Sequence, residues 1–186
     1  MRIISGKFRS RRVNTVHEKI NCVKGNLSGY RPTSDRARET LFNVLNNLID
    51  FESTVCLDLF AGSGAIAFEL LSRGSEKCDL VENSAKQLMA VKKTAKELGC
   101  EDRIIIYDSN VLAFLKTSLE FYDIIFADPP YDYEFYPELL NEIFKLNFSI
   151  FILEHSNIAA IPLKLEGFEI ITKKAGITNF SIFNKV

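Results

Sequence analysis

The chain has 186 residues, a formal net charge of −1 at neutral pH, 47% hydrophobic residues and 25% charged residues. This length and composition are typical of one globular domain, and they exclude a disordered chain, a collagen-like fibre and a coiled-coil rod. No stretch approaches the roughly 20 uninterrupted apolar residues of a membrane helix, and the first residues lack the apolar core of a signal peptide. We therefore expect a cytoplasmic protein with no membrane association.

Basic residues are concentrated at the N-terminal end of the chain. Residues 1 to 38 carry ten Lys or Arg against two acids, Glu18 and Asp35, so their formal charge is +8. The remaining residues carry 13 basic and 22 acidic side chains, which gives −9. Such an asymmetry predicts a basic end that binds a polyanion, and a solvated tail that balances an acidic domain is the alternative.

Neither a metal site nor a disulfide framework is indicated by the cysteines and histidines. The four cysteines are far apart in the sequence, without a C-x-x-C pair, and the only histidines are His17 and His155. We therefore expect no metal ion and no disulfide framework.

The first predicted element is a small basic hairpin. Short alternating stretches at 2–5 and 10–13 are separated by a glycine-containing turn. No period is sustained over residues 14–30, where Gly, Asn and Ser predict a loop. Residues 32–35 then supply cap-type residues before an apolar stripe with helical spacing, which predicts a helix.

From Asp50 onward the sequence alternates strand and helix. The predicted strands are 55–60, 78–81, 103–107, 122–127 and 149–153. The predicted helices are 65–73, 84–98, 111–118 and 134–145. Such alternation predicts an α/β, Rossmann-like fold with a mostly parallel, seven-stranded sheet and helices on both faces. Two final strands, 168–172 and 180–184, are expected to form an antiparallel pair at one edge.

A glycine-containing turn follows the first of these strands, in Leu57-Asp58-Leu59-Phe60-Ala61-Gly62-Ser63-Gly64-Ala65. Glycine lets a backbone turn sharply and lie against a ligand. The turn therefore predicts a nucleotide-like cofactor at the carboxyl end of the strand. The motif alone could serve NAD, FAD or S-adenosylmethionine.

Acidic residues end the next two strands. Glu82 lies 18 residues past Gly64, where a carboxylate can accept hydrogen bonds from both hydroxyls of a ribose. Asp108 can receive an adenine amino group. The alternative for a strand-end acid such as Asp108 is the N-cap of the next helix.

The strand at 122–127 leads into Asp128-Pro129-Pro130-Tyr131. Two consecutive prolines fix φ and remove two amide donors, so this turn presents carbonyls and a carboxylate as acceptors. It suits a planar group that bears an NH₂, because Asp128 and a proline carbonyl can each accept one N–H. Tyr131 offers a face on which a base can stack. A merely rigid turn with a core tyrosine is the alternative, and the acids at three other strand ends weigh against it.

The assembly resembles the class I S-adenosylmethionine-dependent methyltransferases, in which Asp-Pro-Pro-Tyr is the signature for methylation of an exocyclic amino nitrogen. The likeness is closest to the RsmD family and extends over nearly the whole chain. It is carried by Met1 to Gly6, Arg31 to Asn43, Leu57 to Gly74 and Asp128 to Tyr131. RsmD enzymes are bacterial methyltransferases that act on N2 of a guanine in small-subunit (16S) ribosomal RNA.

Together with the charge asymmetry, the resemblance implies S-adenosyl-L-methionine as cofactor and small-subunit ribosomal RNA as partner, naked or in partially assembled subunits. We expect a monomer with a basic RNA-binding extension over residues 1–30 and a methyltransferase domain over residues 31–186. The implied catalytic residues are Asp128, Pro129, Pro130 and Tyr131. The implied cofactor-binding residues are Asp58, Phe60, Ala61, Gly62, Gly64, Glu82, Asn83, Asp108 and Ser109. The implied RNA-binding residues are Arg2, Lys7, Arg9, Arg11, Arg12, Arg31 and Thr33.

Three alternatives remain open at this point. The same chemistry on N6 of adenine in DNA or RNA would use Asp-Pro-Pro-Tyr equally well, although the segment from Arg31 to Asn43 weighs against it. A catalytically idle methyltransferase fold could bind RNA, although the acids at positions 58, 82, 108 and 128 argue for activity. An NAD-dependent dehydrogenase would leave Asp-Pro-Pro-Tyr unexplained.

Overall fold

A computed structural model describes residues 1–16, 21–23, 26–28, 34–130, 133–155, 161 and 164–186. Within these ranges the strands are β1 (Asn21–Val23), β2 (Asn26–Ser28), β3 (Val55–Leu59), β4 (Lys77–Glu82), β5 (Ile104–Asp108), β6 (Phe121–Ala127), β7 (Asn147–His155), β8 (Phe168–Ala175) and β9 (Thr178–Lys185). The helices are α1 (Asp35–Leu45), α2 (Ala65–Arg73), α3 (Ala85–Leu98), α4 (Val111–Leu115) and α5 (Tyr136–Ile143), with a 3₁₀ turn at Glu101–Arg103.

Seven strands form one sheet in the order β5-β4-β3-β6-β7-β9-β8. The neighbours from β5 to β7 are parallel, and β9 pairs antiparallel with both β7 and β8. The predicted mostly parallel α/β sheet, with an antiparallel pair at one edge, is therefore confirmed.

Alternate residues of the central strands enter separate hydrophobic cores on the two faces of the sheet. In β3, Cys56 packs in the core that includes residues of α1, α2 and α3, whereas Leu57 and Leu59 pack with residues of α4 and α5. Side chains two positions apart in a strand share a face. Asp58 therefore lies on the face of Cys56, beside α2, although its side chain is polar.

The predicted basic hairpin is only partly formed. Arg2 and Arg12 make an isolated antiparallel bridge, and the N–H of Ile3 donates to the carbonyl of Arg11 at 3.0 Å. Residues 5–10 form bends and turns rather than extended strand, so the antiparallel pairing of the two arms is limited to the bridge between Arg2 and Arg12.

Apolar side chains of the N-terminal segment, residues 1–16, pack into the domain. Ile3, Phe8 and Val13 are buried in the same core as α1, α2 and α3. The hydrophobic positions of this segment thus face the protein, and the basic positions between them face solvent.

Gly6 brings the N-terminal segment against the end of α2. Its φ is +79°, and an added Cβ would lie 1.8 Å from the carbonyl oxygen of Ser72. The Lys7 N–H donates to that oxygen at 2.7 Å, and the Phe8 N–H donates to Oγ of Ser72 at 2.8 Å. Only glycine combines this left-handed backbone with so close an approach.

Glu69 on α2 holds the preceding residues of the same segment. Its Oε2 accepts a hydrogen bond from the Ile4 N–H at 2.7 Å, and its Oε1 accepts one from the Ser5 N–H at 3.1 Å. Arg38 on α1 lies 3.6 Å from Oε2 of Glu69 and donates to the Arg2 carbonyl at 2.6 Å. Both charged side chains are fully buried. Their mutual pairing and their main-chain partners offset the cost of removing them from water.

Several predicted boundaries are corrected. Residues 14–30, predicted as a loop, contain the antiparallel pair β1 and β2, whose three-residue strands are too short to show a period. Helix α4 ends at Leu115 rather than Ser118. Helix α5 begins at Tyr136 rather than Glu134, with Pro137 in its first turn, where proline is favoured. Among the described residues, no helix is long and apolar enough to cross a membrane.

Candidate active site

The acids that end the parallel strands lie along one edge of the sheet. Strand register places Asp58 in β3 beside Leu80 in β4, and Glu82 beside Asp108 in β5. On its other side, β3 pairs with β6, which leads into Asp128. The chain runs outward from β3 through β4 to β5 and then returns to the opposite side of β3. Asp58 and Asp128 therefore flank the point where the strand order reverses, which is where open α/β sheets bind ligands.

Asp58 stabilises the start of α2. The N-cap of this helix is Gly64, which has no side chain to cap it, and Oδ2 of Asp58 accepts a hydrogen bond from the Ala67 N–H at 3.1 Å. Burial of the side chain, together with the nearby charge of Glu82, raises the pKa of Asp58 to about 7 against the lowering effect of the Ala67 N–H. Asp58 therefore changes its charge near neutral pH.

The turn between β3 and α2 uses a left-handed backbone at three positions. Phe60, Gly62 and Gly64 have φ of 58°, 54° and 72°. At Gly64 an added Cβ would lie 3.1 Å from the side chains of both Leu80 and Phe68. The left-handed backbone and the close packing of α2 on the sheet both favour glycine at position 64, while the non-glycine Phe60 adopts a conformation that is uncommon for its type.

Glu82 shapes the same turn from the neighbouring strand. Its Oε2 accepts a hydrogen bond from the Gly62 N–H at 2.8 Å. Its Oε1 accepts from the Asn83 N–H at 2.9 Å and the Ser84 N–H at 2.7 Å. The carboxylate thus links the end of β4, the glycine turn and the start of α3, and it is only partly buried.

The remaining predicted cofactor-binding residues lie at the ends of β4 and β5. Asn83 and Asp108 are exposed, and Ser109 is half-buried. The Ser109 N–H donates to the Glu82 carbonyl at 3.3 Å, which keeps these two strand ends together. Helix α4 is capped by Asn110, whose Oδ1 accepts from the Ala113 N–H, so Asp108 is not its N-cap.

The proline turn lies directly beside β3. The Asp128 N–H donates to the Leu59 carbonyl at 3.4 Å. Pro129 is buried and Pro130 is exposed. The carbonyl of Pro130 accepts from the Tyr133 N–H at 2.9 Å, so this predicted acceptor already has one partner within the turn. Tyr131, the fourth residue of the motif, lies outside the described residues.

Tyr133 is a site residue that the sequence analysis missed. Its ring packs edge-to-face against Phe60, with centroids 5.2 Å apart, and thereby joins the proline turn to the glycine turn. It also contacts Phe135 and Tyr136 in edge-to-face geometry. The bunching of aromatic residues after Asp-Pro-Pro was the available signal, but spacing alone does not say which ring faces the site.

A small pocket joins the two turns. It is lined by Met1, Asp58, Phe60, Ala61, Ala65, Ile66, Phe126 and Asp128. Two carboxylates among apolar side chains suit a ligand that combines a cationic group with an apolar body, whereas they would repel the pyrophosphate of a dinucleotide. The chemistry of this set therefore fits S-adenosylmethionine, which is a sulfonium cation. Met1 was not predicted to line a pocket, because contacts this distant in sequence leave no local pattern.

The exposed basic residues of the N-terminal segment are those predicted from charge. Five basic side chains of the segment are solvent-exposed: Arg2, Lys7, Arg9, Arg11 and Arg12. Arg38, which contributes to the +8 of residues 1 to 38, is instead buried and paired with Asp35 and Glu69. It therefore adds nothing to a surface for polyanions. The predicted RNA-binding residues Arg31 and Thr33 lie outside the described residues.

In the part of the chain that the structure describes, no group of three or more His, Cys, Asp or Glu side chains is arranged to hold a metal ion.

Comparison with known proteins identifies relatives of the whole chain. A family model described as conserved hypothetical protein 95 matches residues 1–184. A protein of Haemophilus influenzae named ribosomal RNA small subunit methyltransferase D is 35% identical over 136 residues, which cover 72% of this chain and 65% of that protein. The Bacillus subtilis protein YlbH is 30% identical over 194 residues, which cover 100% of this chain and 99% of that protein.

A solved structure of the Escherichia coli protein yhhF is similar throughout. It is 27% identical with a TM-score of 0.81, and the match covers 100% of this chain and 97% of that one. Among relatives named ribosomal RNA small subunit methyltransferase D, the chain spans 64% of the Buchnera aphidicola (Acyrthosiphon pisum) protein and 65% of the Haemophilus influenzae protein. The match of the family model to nearly every residue, together with these relatives, shows that the chain belongs to the RsmD family, as the sequence motifs indicated.

Proposed function

We propose that this protein transfers a methyl group from S-adenosyl-L-methionine to the exocyclic N2 of a guanine in small-subunit ribosomal RNA. The observation that carries the proposal is that Asp58, from the glycine turn, and Asp128, from the proline turn, line one pocket at the point where the strand order reverses. The relatives named ribosomal RNA small subunit methyltransferase D support the class of substrate.

The residues proposed to hold the cofactor are those of the glycine turn and the neighbouring strand ends. Asp58 supplies negative charge from inside the pocket, and Phe60 and Ala61 supply apolar surface. Oε1 of Glu82 already accepts two backbone N–H groups after β4, whereas Oε2 accepts only the Gly62 N–H of the glycine turn. A carboxylate oxygen can accept two hydrogen bonds, so Oε2 also serves as an acceptor for a ribose hydroxyl. When bound, the cofactor supplies a methyl group already activated by its positive sulfur.

The proline turn is proposed to orient the amine that receives the methyl group. Asp128 accepts one N–H of the amine and a proline carbonyl accepts the other, so the nitrogen lone pair is directed toward the cofactor side of the pocket. Tyr131 is proposed to stack on the base. The contribution of these groups is proximity and orientation, and no strong general base is required, because the amine can lose its proton to solvent after it has been methylated.

The N-terminal segment is proposed to bind RNA phosphates. Its basic side chains point to solvent, while Ile3, Phe8 and Val13 fix the segment to the domain. We therefore assign RNA binding to residues 1–30 and methyl transfer to residues 31–186, although Ile3, Phe8 and Val13 of the first part pack in a core of the second.

The proposed function is tested by mass mapping of methylated nucleotides in small-subunit ribosomal RNA from cells with and without the protein. We expect one N2-methylguanine to disappear when the protein is absent and to return when it is resupplied. An unchanged set of methylated nucleotides in ribosomal RNA would reject the proposed substrate. Loss of an N6-methyladenine would instead assign the same chemistry to adenine.

A further inference from the structure

Helix α3 carries a basic surface to which neither the motifs nor the family resemblance assigns a role. Its four lysines are all exposed: Lys86, Lys92, Lys93 and Lys96. Glu97 is the only acid in the helix, so the formal charge of α3 is +3. The helix packs beside the N-terminal segment, which places two basic surfaces next to each other.

The second arm of the N-terminal segment contacts one flank of α3. The Asn14 N–H donates to Oγ1 of Thr94 at 3.0 Å, and Nδ2 of Asn14 donates to Oε2 of Glu97 at 2.9 Å. Nη2 of Arg11 donates to the Glu97 carbonyl at 2.8 Å. These hydrogen bonds fix which flank of α3 faces the basic segment.

Helical geometry divides the four lysines into two pairs. At about 100° per residue, Lys86 and Lys93 project within roughly 50° to 70° of the direction midway between Thr94 and Glu97. Lys92 and Lys96 project roughly 130° to 170° away from that direction. Residues three or four positions apart form one ridge, so Lys86 and Lys93 share a ridge with Glu97, which touches the segment.

The ridge also leads toward the candidate active site. Lys86 is in the first turn of α3, two residues after Ser84, whose N–H donates to Glu82 at 2.7 Å. Lys93 lies about 10 Å further along the helix axis, in the direction of the Arg11 contact. Its ion pair with Glu97, at 3.9 Å between exposed groups, contributes little and is easily exchanged for a phosphate.

We propose that Lys86 and Lys93 extend the RNA-binding surface from the N-terminal segment along α3 to the end of β4, and that the ligand is the sugar–phosphate backbone of the RNA. This inference rests on the proposed function, because it assumes that RNA reaches the strand ends. It adds two phosphate contacts to those of the segment, and it defines the flank of α3 along which the RNA lies.

The test compares two double variants of the same helix. Lys86→Ala with Lys93→Ala removes the flank beside the segment, and Lys92→Ala with Lys96→Ala removes the same charge from the opposite flank. Binding of fluorescently labelled 16S ribosomal RNA fragments is measured by anisotropy at salt concentrations from about 50 to 300 mM. Because all four lysines are exposed, both variants should keep the stability of the parent protein.

We expect the first variant to flatten the slope of log affinity against log salt by about 1.4, which is about 0.7 for each single-strand phosphate contact. The corresponding loss of affinity at 0.1 M salt is roughly 25-fold. The second variant should keep the slope of the parent protein. Equal slopes for both variants, whether changed or unchanged, would overturn the inference.

Methyl transfer to the same RNA is measured alongside binding. If the parent protein binds and methylates RNA but the two double variants show the same salt dependence of binding, only the inference about α3 is overturned. A parent protein that neither binds nor methylates RNA would reject the proposed function itself, and the inference with it.

Discussion

Oε2 of Glu82 accepts a hydrogen bond from the Gly62 N–H at 2.8 Å, which ties the end of β4 to the glycine turn after β3. A carboxylate predicted to face a ribose thus also builds the loop on which the cofactor would lie. The two tasks are compatible, because each carboxylate oxygen has two acceptor positions and Oε2 uses only one of them, whereas Oε1 is filled by the Asn83 and Ser84 N–H groups. They also mean that a change at Glu82 affects both the contact and the shape of the site.

We expect Glu82→Ala to weaken S-adenosylmethionine binding by roughly 10- to 150-fold, because a hydrogen bond to a charged group contributes about 1.5 to 3 kcal/mol. Isothermal titration calorimetry measures the affinity directly. Glu101→Ala, a change to an exposed acid in the 3₁₀ turn, is the matched control and should bind normally. Unchanged affinity for Glu82→Ala would remove this residue from the cofactor site.

Asp58 predicts a pH dependence of stability. Burial, with a smaller contribution from the charge of Glu82, raises the pKa of its carboxyl to about 7, whereas an unfolded Asp titrates near 3.9. Between these values the folded protein retains a proton that the unfolded chain has lost. The free energy of unfolding should therefore fall as pH rises from about 4 to 7, by a total of about 4 kcal/mol, and this contribution should level off above pH 7.

Chemical denaturation of the parent protein and of Asp58→Asn over this pH range isolates the effect. The asparagine variant should lack this part of the pH dependence, so the difference between the two curves changes with pH. Binding of a cationic ligand favours the ionised carboxylate, and the affinity of the parent protein for S-adenosylmethionine should accordingly rise between about pH 6 and 7. Parallel stability curves for the two proteins would show that Asp58 does not titrate in this range.

The close approach of Gly6 to α2 lets us predict how much unfolding free energy is lost when the N-terminal segment is displaced. An alanine Cβ at this position would lie 1.8 Å from the Ser72 carbonyl oxygen, so Gly6→Ala must displace the segment and expose Ile3 and Phe8. Gly99→Ala is the matched control, because Gly99 has a similar φ of +64° with no atom within 4 Å of an added Cβ. The control should lose about 1 to 2 kcal/mol of unfolding free energy, from backbone strain alone.

Gly6→Ala should lose at least about 2 kcal/mol more than the control, because removing Ile3 and Phe8 from the core costs about 1.5 to 3 kcal/mol for each side chain. Denaturant titration of both variants measures the difference. Equal losses would mean that the segment does not need the close approach to α2.

Because the arginines of the N-terminal segment are exposed, we expect the segment to bind RNA with an affinity that depends on salt. Replacing Arg9, Arg11 and Arg12 with alanine should flatten the slope of log affinity against log salt by about two and leave S-adenosylmethionine binding unaffected. A matched control replaces Lys116, Lys145 and Lys185, which are exposed lysines outside the segment. Anisotropy titrations should use naked ribosomal RNA and partially assembled small subunits. If the segment is only a solubilising tail, the triple arginine variant will keep the slope of the parent protein with both naked RNA and partially assembled subunits.

The sequence predicted the parallel sheet because short apolar strands alternate with helical segments along the chain, with glycines at the turns around α2 and after α3. Asp58, Glu82, Asp108 and Asp128 could be assigned to one edge from their positions in the sequence, since the carboxyl ends of parallel strands share an edge. This part of the site follows from topology alone.

Contacts between distant parts of the chain could not be predicted in the same way. Arg38 appeared to be one of many basic residues, and only the fold shows it buried beside Glu69, 31 positions later in the chain, with the Arg2 carbonyl as a further partner. The ends of α4 and α5 were misplaced because fraying and proline at the first turn shift a helix boundary without changing its apolar period. Tyr133 was missed because an edge-to-face contact with Phe60 has no fixed spacing in sequence.

The most direct test of the proposed activity is a single-turnover methylation assay with purified protein, S-adenosylmethionine bearing a labelled methyl group, and small-subunit ribosomal RNA presented both naked and in partially assembled subunits. We predict that the label appears in N2-methylguanine. We also predict that Asp128→Ala reacts at least about tenfold more slowly, with a cofactor affinity within a few-fold of the parent protein, because orientation of the amine is expressed in the transition state. Asp102→Ala, a change to an exposed acid in the 3₁₀ turn, should react at the rate of the parent. Label on another nucleotide, no label on either substrate, or equal rates for Asp128→Ala and the parent protein would contradict the proposed reaction or the role of its proline turn.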